Sequence, residues 1–313
     1  MKYAWIDAQR REFPLPDMCE VLAVSASGYR AWKRGGKPDR TRLTDPQAVA
    51  LMKSIHAEVK AAYGSGRMHR EVEGRGHRIG LRRGRRGLQG GGHRSGLRRV
   101  GPLRRDTGIR ARHKRRYKAT TDSKHSMPVA DNLLARNFTP AAPNRVWTGD
   151  ITYIQTSEGW LYLAIVLDLF NREIVGWSIK PRMTADIVTD ALTMAWFRRK
   201  PGSGVTFHSD RGSQYASQAM TAKLTEYGMT ASMSRKGNCW DNAPTESFFN
   251  SLKNERVHGT TYATRADAQA DLFEYVEVFY NRSRRHSTLG YSSPVRFLED
   301  WISKHGLQQS MAA

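Results

Sequence analysis

The sequence predicts an α/β protein, a mixed sheet flanked by helices over residues 141–301, preceded by a small all-α region. Three observations predict it. WLYLAIVLDLF (160–170) is an almost unbroken apolar run of strand length, which suits a strand covered on both faces. NRVWTGDITYIQT (144–156) and EIVGWSIK (173–180) flank it with β-branched and aromatic residues at strand spacing. From Thr184 onward helical and strand periodicities alternate, whereas the first sixty-odd residues carry helical signals only.

Taken in order, Pro16 and Asp17 open a short helix, DMCEVLAV, and the turn-like SASG leads into a second, YRAWKRGG, closed by Gly35 and Gly36. Two short helices so joined resemble a helix-turn-helix, and the second would present Arg30 and Lys33 to a DNA groove. A helical hairpin with a solvated basic face fits equally well. A further helix is expected over 45–62, with Val49, Met52, Ile55 and Val59 on one side, so the helical region is placed at 1–66. Residues 67–118 form the next unit. Within them, residues 72–105 hold 11 Arg and 10 Gly among 34 residues with one acid, Glu73. Glycine at that density disfavours helix by roughly 0.5–1 kcal/mol per position, and the stretch is read as poorly folded. It is either an arm that tracks phosphates or coding sequence read out of frame, and it holds no aromatic residue. Residues 119–140 read as a linker.

Three strands open the 141–301 region. Thr184 then caps a helix that ends in Arg198, Arg199 and Lys200, followed by the short strand VTFHSD, a helix near 214–227 and the strand MTASMS. Asn242 or Asp241 caps a helix from Ala243 and Pro244 through SFFNSLKNERV, and a last helix begins after Thr264. That order is the one found in a ribonuclease-H-like layer of helices on a mixed sheet. Residues 302–313 read as a tail.

Lys and Arg number 51 against 29 Asp and Glu, a formal charge of +22, which favours a polyanionic partner and above all nucleic acid. No run approaches the ~18–20 apolar residues of a membrane span and no apolar signal core opens the chain, so a cytoplasmic, nucleoid-associated protein with no membrane partner is expected. Cys19 and Cys239 are too few for a disulfide framework or a cysteine zinc site.

Three acids stand out by position. Asp150 lies inside a strand, Asp210 follows a strand at its carboxyl end, and Glu246 sits in the first turn of a helix. If the sheet pairs as expected, the three converge at one edge, where each pair at ~4 Å repels by about 4 kcal/mol at an effective dielectric of ~20. Hard oxygen donors without a histidine or cysteine quorum point to two Mg²⁺ or Mn²⁺ ions, and so to phosphodiester cleavage or strand transfer. Singly, an aspartate at a strand end is a turn cap and a first-turn glutamate answers the helix dipole. Asp168, in the apolar strand, is the decoy.

TGDITYI, FHSDRGSQY and GNCWDNAPTESFFNSLKNE resemble the catalytic blocks of bacterial insertion-sequence transposases of the OrfB type, whose core is retroviral-integrase-like. Residues 211–245, 35 in all, separate Asp210 from Glu246, the spacing of that family's acid triad. The resemblance is close over 119–301, including YNRSRRHSTLGYSSPVRFLEDW, and moderate over 1–66. It implies that Asp150, Asp210 and Glu246 are the catalytic metal-binding acids, and that Lys253, seven residues and about two helical turns after Glu246, meets DNA phosphate. It implies transposition of the element's own DNA, with element ends and target DNA as partners, a homo-oligomer on that DNA, and an upstream reading-frame product or a fusion with it. The family carries a second helix-turn-helix where this chain has its Arg/Gly stretch. A catalytically impaired DNA-binding remnant is therefore the alternative, and a ribonuclease acting on RNA–DNA hybrids a third reading. Further DNA contacts are expected from the flap SRKGNCWDN, with Lys236 and Asn238 and with Trp240 stacking a base, and from a basic rim of Arg282, Arg284, Arg285 and His286. His208 is read as a strand-end histidine satisfied by backbone, with orientation of the site or donation to phosphate as the alternative.

Overall fold

A computed structural model describes residues 2–33, 43–77, 79, 92–112, 127–235 and 238–311. Three short helices open the chain, α1 (Lys2–Ala8), α2 (Leu15–Val21) and α3 (Ala26–Lys33), around a small core of Ile6, Leu15, Met18, Cys19 and Tyr29. The expected pair is present as α2 and α3, and α1 is additional. Gly35 and Gly36 lie outside the described residues.

Three further helices, α4 (Asp45–Glu58), α5 (Ser65–Gly74) and α6 (Gly92–Asp106), do not stand apart from the sheet region. A capping box between Thr44 and Gln47 starts α4. Met52, Ile55, Tyr63, Met68, Val72 and Val100 share one buried cluster with Leu163, Ile165, Phe248 and Tyr275 of that region. The poorly folded stretch expected over 72–105 is thus corrected in part: residues 92–106 are helical, Val100 is fully buried, and Arg99 pairs with Asp45. Residues 80–91 lie outside the described ones. Tertiary burial overrides the low helix propensity of Gly96, Gly101 and Pro102.

The sheet has five strands, β1 (Val146–Thr156), β2 (Gly159–Asp168), β3 (Ile174–Lys180), β4 (Thr206–Ser209) and β5 (Thr230–Met233), in the order β3-β2-β1-β4-β5. The first three form the antiparallel meander, and β4 and β5 add in parallel, which makes the sheet mixed as the sequence predicts. One face packs on α7 (Ala185–Arg199) and α8 (Gln218–Glu226) through Trp147, Val166, Val175, Leu192 and Met220. Gly176 lets α7 close on β3, since a Cβ there would lie 2.1 Å from the Ala191 carbonyl oxygen. The other face carries α9 (Ala243–Leu252) and α10 (Arg265–Phe273). Residues 253–257 and 274–283 widen to π-helical turns, and α11 (Pro294–Met311) ends the described chain. The predicted tail from 302 is therefore helical as far as 311. This topology is ribonuclease-H-like. Residues 127–140, expected as a linker, are tied down: Leu134 is buried, and Ser232 Oγ accepts from the Leu133 and Leu134 N–H groups at 2.9 and 3.3 Å. Among the described residues no helix is long and apolar enough to cross a membrane.

Candidate active site

The acids are placed by the parallel pairing of β1 with β4. Thr148 is level with His208, so Asp150 and Asp210 each lie two residues beyond one registered pair, on the face that carries α9. The Ile151 N–H donates to Asp150 Oδ1 at 2.8 Å and the Gly212 N–H to Asp210 Oδ1 at 2.9 Å. A Cβ at position 212 would stand 3.0 Å from that oxygen, so the tight turn after Asp210 suits glycine.

Glu246 comes to this edge because the start of α9 is bolted to β1. Asn242 Nδ2 donates to the Gly149 carbonyl at 3.3 Å, Thr245 Oγ1 donates to Asn242 Oδ1 at 2.9 Å, and the Thr148 and Thr245 hydroxyls are 2.7 Å apart. The Glu246 side chain, one residue on, is exposed. Burial and then the charges of Asp210 and Glu246 push the Asp150 carboxyl well above the usual range, against the Ile151 N–H and Lys253, which lower it. Partial desolvation of its carboxyl also raises Glu246. The three acids therefore share one electrostatic field. Among the described residues no three Asp, Glu, His or Cys side chains stand grouped closely enough to hold one ion.

Lys253 shares Glu246's side of the helix and is buried, with its ammonium 4.7 Å from the Tyr153 ring centroid. Desolvation lowers its pKa while Asp150 raises it. Asp168 is the structural acid anticipated: fully buried, it accepts from the N–H groups of Phe170 and Asn144, each at 2.9 Å. His208 is also structural, held between Ser232 Oγ (2.9 Å) and Ser234 Oγ (3.1 Å) and kept neutral by burial, its pKa pushed down to about 4.

The expected DNA contacts divide. Asn238 is a cap, accepting from the Trp240 N–H at 3.2 Å and from Arg136 at 3.1 Å, while Trp240 is 68% exposed beside it. Lys236 lies outside the described residues. Arg282 is exposed, but the rest of the basic rim turns inward. Arg284 is fully buried on Glu255, and Arg285 pairs with Glu71 at 2.6 Å. Burial beside Arg284 pushes His286 down to about 3. Here Tyr63 and Glu71 of the helical segments meet the sheet region, and the arginines serve that junction. On α3, Arg30 is exposed and Lys33 pairs with Asp7 at 2.6 Å.

Two residues near the acids escape the sequence reading. Tyr215, inside the FHSDRGSQY block, is buried with its hydroxyl close against Gly149, and burial together with Asp150 and Asp210 raises its pKa far above the ordinary value. Asp241 reads in the sequence only as a helix cap, a position that Asn242 takes. It is instead a fully buried carboxylate bonded to Arg235, Arg136 and Asn132.

A mixed sheet with one acid midway along β1, one just past the carboxyl end of β4 and one on the helix across them has the layout of an integrase-type core. Two family models described as integrase core domain match residues 140–239 and 246–300. The chain is 39% identical over 302 residues to transposase InsF for insertion sequence IS3A of Escherichia coli, covering 95% of this chain and 98% of the relative. It is 41% identical over 284 residues, 91% of this chain, to an uncharacterized 31 kDa protein of insertion element IS600 from Shigella sonnei, 98% of which is covered. Solved structures give lower likeness. A simian T-cell lymphotropic virus intasome in complex with the PP2A regulatory subunit B56 gamma matches at TM-score 0.42 and 16% identity, over 63% of this chain and 66% of that one. The HTLV-2 integrase catalytic core domain in complex with magnesium matches at TM-score 0.38 and 17% identity, over 50% and 97%. The chain belongs to the insertion-sequence transposases with an integrase core domain.

Proposed function

We propose that the chain catalyses metal-dependent cleavage and strand transfer of DNA, with Asp150, Asp210 and Glu246 as the metal-binding acids. The single observation that carries the reading is the register that sets Asp150 and Asp210 each two residues past the Thr148–His208 pair, with the start of α9 tied across them through Thr148 and Thr245, so that burial and the neighbouring acids disfavour the Asp150 anion. A divalent cation removes that penalty, and an all-oxygen donor set suits Mg²⁺ or Mn²⁺. Two ions held there would supply activation of a water or 3′-hydroxyl and stabilisation of the departing oxygen. The chain's own part is positional. The Ile151 and Gly212 N–H groups fix one oxygen each of Asp150 and Asp210, the Thr148–Thr245 pair sets Glu246 across from them, and Lys253 offers a cation to a DNA phosphate beside the acids.

In this reading the substrates are the element ends and target DNA, the working form is a homo-oligomer on DNA, and an upstream reading-frame product or a fusion with it completes recognition of the ends. Residues 92–106 fold into the shared core, and nothing favours the impaired remnant over the active enzyme. The test is a strand-transfer assay on element-end oligonucleotides with Mg²⁺ or Mn²⁺. Asp150→Asn, Asp210→Asn and Glu246→Gln should each abolish joining in folded protein, and a variant that retains the wild-type rate removes its residue from the set. Cleavage of RNA–DNA hybrids in preference to DNA joining would favour the ribonuclease reading.

A further inference from the structure

The sheet edge that carries the acids continues into basic side chains that the acid site does not use. Ser209 is level with Met233, so β5 leaves the sheet beside β4 and delivers Arg235 one residue beyond the level of Asp210. Arg235 folds over Asp241: its backbone N–H and Nε donate to Oδ2 at 3.0 and 2.9 Å, and a terminal nitrogen donates to Oδ1 at 2.9 Å. From the segment ahead of β1, Arg136 Nε donates to the same Oδ1 at 2.9 Å. Its terminal nitrogen donates to Asn238 Oδ1 at 3.1 Å. The Asp241 carboxylate has no exposed surface, whereas the side chains of Arg136 and Arg235 are 45% and 56% exposed. One buried anion thus fixes two guanidinium groups that reach water, with a net charge of +1. Arg211, its Nε on the Ser234 carbonyl at 2.7 Å, flanks them.

We propose that Arg136 and Arg235, held by Asp241, form a preorganised seat for a DNA backbone phosphate next to the acid site. A guanidinium presents its donors as a fork that matches two oxygens of a phosphate, and a fork already fixed by a buried carboxylate loses little rotamer freedom on binding. The occupant is DNA because Trp240 stands exposed one residue before Asp241, offering a flat apolar face to the sugar or base attached to that phosphate. The proposal rests on the strand-transfer reading and names where its substrate strand lies.

The test is the salt dependence of DNA affinity, measured by fluorescence anisotropy on the full chain in EDTA with a duplex bearing a single-stranded 3′ extension. The variant is Arg136→Gln, Arg235→Gln and Asp241→Asn together, which removes the charges while leaving hydrogen-bonding groups and no unpaired buried carboxylate. Losing this one phosphate contact lowers the slope of log affinity against log salt by about 0.7–0.9. An unchanged slope in folded variant overturns the proposal. Because EDTA removes divalent ions, the measurement does not require metal held by the acids, and a failed joining assay leaves it intact. Should the triple variant not fold, phenylglyoxal modification of the wild-type chain decides. DNA should protect Arg136 and Arg235 several-fold, and equal labelling with and without DNA, or stronger protection by polyglutamate, overturns the proposal.

Discussion

Replacing Asp150 by Asn should make the protein more stable and inactive at once. The substitution keeps the side chain's shape and an oxygen able to accept the Ile151 N–H. Asp150 and Asp210 sit two residues past a registered pair of neighbouring parallel strands, which lie about 4.8 Å apart. Two charges about 5 Å apart at an effective dielectric of about 20 repel by about 3 kcal/mol. Exchanging a charge-assisted hydrogen bond for a neutral one loses about 1 kcal/mol, leaving a net gain of about 2 kcal/mol. At about 2–4 °C per kcal/mol for a chain of this size, the melting temperature in EDTA should rise by roughly 4–8 °C. The sign agrees with linkage. An acid whose folded pKa is raised weakens the fold as pH climbs past its unfolded value, so the gain should be present at pH 7 and fade as pH falls below about 4. The assay is thermal denaturation with and without Mn²⁺. Wild type should gain stability from the ion and the variant much less. A lower melting temperature in EDTA, or equal stabilisation by Mn²⁺, would refute the reasoning.

Three further outcomes are expected. His208 has a folded pKa near 4 against about 6.5 unfolded, so the unfolded chain takes up a proton first and stability falls as pH drops from about 6.5 to 4, by on the order of 3 kcal/mol. Urea titrations of wild type and His208→Gln across that window should differ by a slope of this sign, and parallel curves would contradict it. Val100→Ala removes a fully buried side chain from α6 and should cost about 1.5–3 kcal/mol by the same titration. No loss would mean that residues 92–106 are dispensable, as the remnant reading requires. Arg284→Ala leaves buried Glu255 to Arg67 and the Tyr275 hydroxyl and should cost about 1.5–3 kcal/mol, whereas Arg282→Ala on the exposed surface should change stability by less than about 0.5 kcal/mol.

The sheet region was legible because its signals are local. The apolar run of β2 and the helix start after Thr264 can be read from neighbouring letters, and the 35-residue interval between Asp210 and Glu246 was legible through the family resemblance. The part that escaped depends on distant partners. Nothing near Val100 announces that it will be buried against α4 and α5, and the Gly and Arg around it argue for the opposite. Arg285 and His286 look like a DNA-facing rim until Glu71 is brought to the first and burial, with Arg172 and Arg67 from other segments, surrounds the second. Asp241 looks like a cap because its arginine partners lie 6 and 105 residues away. A charged residue's neighbours in space decide whether it faces solvent, ligand or core, and spacing alone does not contain them.

The central claim is that three acids from separate segments hold divalent ions together. Its most direct test is an anomalous difference map from crystals of the protein with Mn²⁺ and element-end DNA. Manganese peaks within coordination distance, about 2–2.2 Å, of the carboxylates of Asp150, Asp210 and Glu246 are the predicted result. Peaks elsewhere with these three side chains still apart would contradict it.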